Sequence, residues 1–256
     1  MKIALVGYGR MGQAVETQAE ERGHDIVARL GRDVLEGTPE QIAERLGGAD
    51  TAIDFTVGAL VPKIVRAVAL AGTDLATGTT GLGDEAHEAM RAAEDIGIVH
   101  GPNFSIGVHL FFRMSRDAAR LMDRVGGYDA HIHEAHHRHK RDHPSGTAWR
   151  LADLLVEELG DKARWAAGAP DGPADEGTLY VTSTRAGEIP GTHTIGFEGQ
   201  HDGIELTHHA HGRDGFASGA VRAAEWIHGK AGVFTFTDVM DRILDGERTD
   251  ATDQQD

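Results

Sequence analysis

The 256-residue sequence contains no cysteine, which excludes disulfide bonds, thiolate metal sites and a cysteine nucleophile. Aromatic residues make up only 5% of the chain. Apolar runs are short and broken by charged residues, so no stretch approaches the roughly 20 apolar residues of a membrane-spanning helix. A strand pattern follows Met1 directly, without the layout of a signal peptide. We therefore expect a cytoplasmic protein that does not associate with a membrane.

Basic residues are also scarce, because 25 Lys and Arg stand against 41 Asp and Glu, for a formal net charge of −16. Such a surface repels nucleic acid, so we expect no nucleic-acid partner. The exception is the cationic stretch at residues 136–141 (HHRHKR). This local contrast within an acidic protein favours the capture of a small anionic metabolite.

Glycine is abundant at 34 residues, and three of them form a GxGxxG motif at residues 7–12 (GYGRMG). A strand-like run precedes the motif, and a helical pattern and a second strand-like run follow it. This order is typical of a dinucleotide-binding unit, in which Gly7 permits a tight turn. Gly9 would let the backbone approach a pyrophosphate at the helix N-terminus, and Gly12 would let helix and strand pack closely. An ordinary glycine-rich turn is the alternative.

The end of the second strand normally contacts the ribose of the cofactor, and here it reads RLGRD at residues 29–33. Arg32 could meet the 2′-phosphate of NADP, and Asp33 could accept a hydrogen bond from the 2′-hydroxyl of NAD. Both could equally be solvated loop charges. The choice between NADH and NADPH therefore stays open.

Strand and helix patterns alternate up to about residue 104, which predicts a doubly wound parallel sheet. Ligands bind beyond the carboxyl ends of the strands in such sheets. The loops at 78–81 (GTTG) and 101–104 (GPNF) follow strands, so we expect them to border the nicotinamide, although they could be simple turns. The patterns predict strands at 49–55, 73–77 and 98–100, and helices at 60–71 and 84–96.

The second half of the chain has a different pattern. No long helical run separates its strand-like segments, so we expect a sheet of another kind there. We predict domain limits at 1–104 with 216–246 for dinucleotide binding, 105–215 for substrate binding and oligomerisation, and a disordered polar tail at 247–256. The patterns predict helices at 105–122, 147–159 and 216–227, strands at 128–133, 178–184, 191–197 and 203–210, a loop at 166–177, and an apolar periodic run at 233–244.

The central segment, residues 134–147 (EAHHRHKRDHPSGT), holds most of the candidate chemistry. Residues 133–137 match the zinc signature HExxH, but that signature requires a helix and the flanking residues alternate like a strand. The second interpretation is acid–base chemistry on an anion, with several imidazoles beside Lys140 and Arg141. Ser145 at a helix start would place backbone N–H groups against a carboxylate, or it could be a simple N-cap.

Six segments together carry a specific resemblance to one enzyme family. The chain resembles the 4-hydroxy-tetrahydrodipicolinate reductase (dihydrodipicolinate reductase) family of the diaminopimelate route to lysine, and the likeness extends over nearly its whole length. The segments are VGYGRMG, ATGTTGL, GPNFSIGV, EAHHRHKRDHPSGTA, STRAGEIPGTHTIGFEG and RDGFASGAVRAAEW.

The resemblance implies an α/β fold, with an N-terminal Rossmann-type parallel sheet domain and a central α+β domain with an open mixed sheet that builds a homotetramer. It implies an NAD(P)H-dependent oxidoreductase that uses NADH or NADPH to reduce a cyclic dicarboxylate, with hydride to C4, a proton to C3 and loss of water, and no metal. By motif position it makes His136 the acid/base, Lys140 the proton donor, and His137, Gly146 and Thr147 substrate contacts. The implied cofactor contacts are Gly7, Gly9, Arg10, Met11, Gly12, Gly78, Thr79, Thr80, Gly101, Pro102, Asn103 and Phe104.

Two departures from the family pattern concern the cofactor. The glycine motif is one residue shorter than in many members, and residues 31–33 (GRD) replace a Glu-Arg pair that some members carry. Two other hypotheses remain beside the reductase. One is a zinc-dependent hydrolase that uses the literal HExxH, and the other is a non-catalytic dinucleotide-binding sensor, which would have no need of the His/Lys cluster.

Overall fold

The computed structural model describes residues 1–245. It has two compact units, one formed by Met1–Ile106 with the chain from Arg213 onward, and the other by Gly107–Gly212. None of the helices among residues 1–245 is both long enough and apolar enough to cross a membrane.

The described elements alternate in the first unit and cluster in the second. The strands are β1 Lys2–Val6, β2 Asp25–Leu30, β3 Thr51–Asp54, β4 Asp74–Thr77, β5 Gly97–His100, β6 Tyr128–His136, β7 Arg164–Ala167, β8 Thr178–Arg185, β9 Thr192–Gly199, β10 Gly203–His209 and β11 Gly232–Thr235. The helices are α1 Arg10–Glu21, α2 Arg32–Leu35, α3 Pro39–Arg45, α4 Val61–Ala71, α5 Asp84–Ala92, α6 Ile106–Val125, α7 Gly146–Glu158, α8 Asp214–Ile227 and α9 Phe236–Asp245, with a 3₁₀ turn at Gly58–Leu60.

The first unit is built on a six-stranded sheet in the order β11-β5-β4-β3-β1-β2, in which every neighbouring pair is parallel. Strands β3 and β4 are buried along their whole length, as expected when helices cover both faces. The strand order reverses between β1 and β3, and ligands bind beyond the carboxyl ends at such a point. The predicted Rossmann-type parallel sheet is confirmed.

Helix α4 shows why these residues pack on the sheet. Its buried residues, which include Ile64, Val65 and Val68, recur at helical spacing and join the core cluster. Pro62 lies in its first turn, where the missing N–H costs nothing. Gly72 ends the helix in the left-handed conformation at φ +64.

Three elements differ from the sequence-based expectation. Helix α5 ends at Ala92 rather than at residue 96, because the chain must turn there to enter β5. Helices α2 and α3 occupy a stretch with no predicted element, although Thr38 and Gln41 form a capping box with Pro39 at the first helical position. Strand β7 takes the start of the predicted loop at 166–177.

The second unit is built on a five-stranded mixed sheet in the order β10-β9-β6-β8-β7. Central strand β6 pairs antiparallel with β9 and parallel with β8, which confirms the expected mixed sheet. Helices α6 and α7 supply one side of its core, where Phe111 and Leu151 join Ile132 of β6. Burial alternates along the second half of β6, so its side chains divide between two faces. The predicted tail at 247–256 lies outside the described residues.

Candidate active site

The buried face of β6 changes from apolar to titratable residues towards the end of the strand. Ala130 and Ile132 belong to the core, and the next two residues on the same face are Glu134 and His136, which are 0% and 8% exposed. A buried carboxylate is costly unless it is paired and hydrogen-bonded. Glu134 meets this condition, because its Oε2 makes a short hydrogen bond with Nδ1 of His136 and its Oε1 accepts from Nη2 of Arg185 at 2.7 Å.

The charge state of Glu134 follows from these partners. Burial raises the pKa of Glu134, but the hydrogen bonds from His136 and Arg185 outweigh burial and hold that pKa well below its usual range. Glu134 is therefore an anion at neutral pH, in direct contact with an imidazole. The pair gives the site a fixed negative charge behind the ring of His136.

A second imidazole, His193 of β9, stands beside the first. Its Cα lies opposite that of Glu134 in the antiparallel register, and its ring meets that of His136 edge to face at 5.1 Å. Burial, followed by the nearby charge of His136, lowers the pKa of His193 to about 3. His193 is therefore neutral, and its Nε2 lies 3.0 Å from Oγ of Ser145.

Ser145 links this imidazole to the start of α7. Its Oγ accepts from the backbone N–H of Ala148 at 3.3 Å, so the expected N-cap is present. The helix begins at Gly146 and includes Thr147 in its first turn, where backbone N–H groups point outward and the helix dipole favours an anion. A Cβ added at Gly146 would meet nothing within 4 Å, so the helix start is open to a ligand.

Lys140 and Arg141 lie in the loop between β6 and α7. Nζ of Lys140 contacts Oδ1 of Asp142 at 2.9 Å. Burial raises the pKa of Asp142, but the contact with Lys140, a backbone hydrogen bond and the charge of Arg185 together outweigh burial and lower that pKa. A cavity of about 500 Å³ adjoins this loop and the start of α7. It is lined by Arg141, Asp142, His143, Pro144, Gly146 and Trp149.

The structure argues against the zinc hydrolase. The residues of the HExxH match lie on a strand, so His133 points away from Glu134 and contacts Thr182 on the other face. Glu134, His136 and His193 do bring potential ligand atoms within 4.8 Å of one another. However, the carboxylate of Glu134 is already held by His136 and by the guanidinium of Arg185, whose positive charge opposes a metal cation.

In the first unit, the glycine motif has the geometry that a pyrophosphate requires. Gly7 turns the chain at φ +88, a conformation that favours glycine. A Cβ at Gly12 would collide with the carbonyl oxygen of Gly7, whereas a Cβ at Gly9 would meet nothing within 4 Å. Arg10 and Met11 open α1, with Gly9 as its N-cap. These residues fit a dinucleotide, because the helix N-terminus is exposed beside a backbone that a phosphate can approach.

The residues predicted to choose between NADH and NADPH lie on a short helix. Arg32 and Asp33 are exposed at the start of α2. Sequence reasoning did not identify the neighbouring cluster, in which Nε of Arg29 donates to Glu16 at 2.7 Å and the hydroxyl of Tyr8 contacts the same carboxylate. This cluster ties the end of β2 to α1 and the glycine loop. Only tertiary contacts bring these three residues together.

The loop after β4 is anchored by Asp54, a residue that sequence reasoning did not single out. Asp54 is fully buried, and its Oδ2 accepts from the hydroxyls of Thr77 at 2.6 Å and Thr79 at 2.8 Å. Burial raises the pKa of Asp54 above its usual range. Gly78 is required between them because a Cβ there would enter the ring of Phe55, while Thr80 is exposed.

The loop after β5 is held mainly by the core. Phe104 is 1% exposed, and its ring lies 4.6 Å from that of Phe236. Its side chain is therefore a packing element, and only its backbone is available to a ligand. Gly101 is also buried, Pro102 is exposed, and Oδ1 of Asn103 accepts from the backbone N–H of Ser105 at 2.8 Å.

Comparisons with known proteins agree over almost the whole chain. The family model "Dihydrodipicolinate reductase, N-terminus" matches residues 1–104, and the model "Dihydrodipicolinate reductase, C-terminus" matches residues 107–240. The 4-hydroxy-tetrahydrodipicolinate reductase of Christiangramia forsetii is 37% identical over 95% of this chain and 99% of its own. That of Alkalilimnicola ehrlichii is 39% identical over 93% and 98%.

A solved structure shares the fold. It is a dipicolinate-bound dihydrodipicolinate reductase from Paenisporosarcina sp. TG-14, with a TM-score of 0.74, 22% sequence identity, and coverage of 93% of this chain and 99% of that one. The two matched family models and the curated relatives thus agree with the resemblance of the central segment. The chain belongs to the dihydrodipicolinate reductase family.

Proposed function

We propose that the chain reduces 4-hydroxy-tetrahydrodipicolinate to tetrahydrodipicolinate with NAD(P)H and with loss of water, in the diaminopimelate route to lysine. Membership of the family supports this function. The observation that carries it is the buried pair of Glu134 and His136, located beside the open start of α7. A sensor that only bound a dinucleotide would gain nothing from a desolvated carboxylate–imidazole pair of this kind.

The substrate is a dicarboxylate, and the second unit offers it cations and a helix start. The first turn of α7 places backbone N–H groups of Gly146 and Thr147 where a carboxylate can accept from them. Lys140 adds positive charge from the loop after β6, and His137 in the same loop is the further substrate contact. The cationic loop within an acidic protein also attracts the dianion by its field.

His136 and Lys140 divide the proton chemistry. When bound, NADH or NADPH supplies a hydride to C4 of the ring that remains after the 4-hydroxyl has departed as water. Negative charge moves toward the ring nitrogen, so an acid held nearby lowers the barrier. His136 is the acid/base that stabilises this charge, and Lys140 delivers the proton to C3.

The cofactor belongs to the first unit, and we assign dinucleotide binding to residues 1–104 and 216–246. Gly7, Gly9, Arg10, Met11 and Gly12 face the phosphates. The nicotinamide borders the loops after β4 and β5, through Gly78, Thr79, Thr80, Gly101, Pro102, Asn103 and the backbone of Phe104. Arg32 would favour NADPH and Asp33 would favour NADH, because they carry opposite charge toward the ribose. We assign substrate binding and assembly to residues 105–215, and we propose a cytoplasmic homotetramer.

A steady-state assay with freshly prepared substrate and each nicotinamide cofactor tests the proposal. We expect turnover with at least one cofactor, and losses of about 10²–10⁴-fold in kcat for His136→Ala and Lys140→Ala. His201→Ala removes an exposed imidazole of the same unit and serves as the matched control, with unchanged turnover. No turnover with either cofactor would refute the function. Near-full activity of both variants would refute only the roles of the two residues.

A further inference from the structure

Arg185, at the end of β8, connects two parts of the proposed site. Its Nη2 donates to Oε1 of Glu134 at 2.7 Å and to the backbone carbonyl of Asp142 at 2.6 Å. The first contact holds the carboxylate behind His136, and the second holds the loop that carries Lys140. The parallel register of β6 and β8 creates this arrangement by placing Arg185 opposite His136.

We infer that Glu134 and Arg185 are positioning residues, which fix the tautomer and orientation of His136 and tie the Lys140 loop to the same guanidinium. The inference rests on the proposed role of His136. Glu134 accepts a hydrogen from Nδ1 of His136, so the neutral ring carries its proton on Nδ1 and Nε2 is the nitrogen that exchanges a proton with substrate.

The surroundings of Nε2 support this assignment. A Cβ added at Gly191 would lie 3.0 Å from Nε2 of His136, so the glycine keeps that nitrogen uncrowded. His193 packs edge-on against the same ring, but its own Nε2 hydrogen-bonds with Ser145 and not with Nε2 of His136. The ring of His136 is therefore held from the Nδ1 side, and the absence of a side chain at Gly191 leaves room beside Nε2.

The charges around His136 give the inference a measurable consequence. Glu134 on β6 contacts Nδ1 of His136, Arg185 on β8 contacts that carboxylate, and neutral His193 on β9 packs against the ring. The following loop adds Lys140, which is paired with Asp142 at 2.9 Å. Glu134 favours the protonated imidazole, whereas the two cations oppose it. Glu134→Gln removes the negative charge next to Nδ1 of His136 and leaves the guanidinium of Arg185 in place.

Glu134→Gln and Arg185→Lys test the inference in the full-length chain. We expect kcat to fall by about 10- to 10²-fold in each, with a much smaller change in KM for the cofactor. The alkaline limb of the pH profile of Glu134→Gln should move to lower pH. Glu188→Gln and Arg164→Lys are matched controls, because both residues are exposed in the same unit, and their profiles should be unchanged.

An unshifted alkaline limb in Glu134→Gln, with kcat within twofold of the unsubstituted protein, would overturn the inference. A large loss of kcat in His136→Ala together with a normal kcat in Glu134→Gln would overturn only the positioning role and leave the proposed function standing. Full activity of His136→Ala would instead refute the role on which it rests. The ¹⁵N spectrum of His136, assigned by its loss in His136→Ala, tests the tautomer without a change at Glu134. A neutral ring protonated on Nε2 would overturn the inference even if Glu134→Gln fails to fold.

Discussion

The close approach between α8 and the loop after β5 allows a paired test of the first unit. A Cβ added at Gly219 would collide with the carbonyl oxygen of Phe104 and lie 2.9 Å from its carbonyl carbon. Ordinary contact begins at 3.4 Å, so the backbone of Phe104 would have to retreat by at least about 0.5 Å from the carbon and by more from the oxygen. A Cβ added at Gly215, in the first turn of the same helix, would have its nearest neighbour, Oγ of Ser105, at 4.0 Å.

We predict opposite effects for the same substitution at these two positions. Overpacking costs about 1–3 kcal/mol, and the contact with rigid backbone places Gly219→Ala near the upper end. Alanine regains up to about 1 kcal/mol of helix propensity, so the net loss is about 2 kcal/mol. This loss corresponds to a fall in Tm of about 4–8 °C for a chain of this size. Gly215→Ala should instead be neutral or stabilising by up to about 1 kcal/mol.

The assays are thermal and urea unfolding followed by circular dichroism, together with titration of NADH and NADPH. Because Phe104 belongs to the loop proposed to border the nicotinamide, Gly219→Ala should also weaken cofactor binding, whereas Gly215→Ala should not. Equal stability of the two variants would refute the packing argument. A destabilised Gly219→Ala that binds cofactor normally would show that the position of this loop does not matter for binding.

Three further perturbations address the remaining buried groups. The unfolded chain protonates His193 near pH 6.5, but burial lowers its pKa to about 3 in the folded state. The free energy of unfolding therefore falls by about 1.4 kcal/mol per pH unit as pH drops below 6.5. His193→Asn should remove this slope, measured by urea unfolding at pH 5 and pH 7. An unchanged slope would show that His193 is not its source. Asn has one oxygen where Asp54 has two, so Asp54→Asn cannot accept both from the threonine hydroxyls at Oδ2 and from the backbone N–H of Thr56 at Oδ1. The substitution should cost about 1–3 kcal/mol in urea unfolding and weaken NAD(P)H binding, and normal values for both would contradict the anchoring role. Gly191→Ala should crowd Nε2 of His136 and lower kcat while the KM for cofactor stays constant; unaltered kcat in steady-state assays would count against Nε2 as the reacting atom.

The parts of the fold that local patterns determine were predictable from the sequence. The strand, glycine motif and helix at the start of the chain follow from residues close together in sequence, and Ser145 begins α7 where a capping residue should. A short-range signal for α3 was also present, because Thr38 and Gln41 form a capping box. Two turns of helix are too short for hydrophobic periodicity to register. The prediction of a loop at 166–177 was wrong at its start, where β7 ends, because an edge strand of four residues is too short to show a clear alternation of apolar and polar residues.

The contacts within the candidate site were not predictable in the same way. Arg185 is 51 residues from Glu134 in sequence, and the register of β6 with β8 alone brings them together. Asp54 reaches Thr79 across two adjacent parallel strands. Sequence shows that such residues are present but not which strands are neighbours. A shift of one residue in either register would turn the partner to the opposite face of the sheet.

Glu134 and Asp54 show how one kind of buried side chain can serve two purposes. Both carboxyl groups are 0% exposed. Asp54 is surrounded by hydroxyl and backbone donors, and burial dominates to raise its pKa. Glu134 is bonded to a guanidinium and an imidazole, which lower its pKa. Because an anion favours a protonated imidazole, Glu134 is suited to support the proton transfer that we propose for His136, whereas Asp54 is suited to hold two loops together. The donors around each carboxyl group, rather than its depth of burial, therefore determine which of the two can assist catalysis.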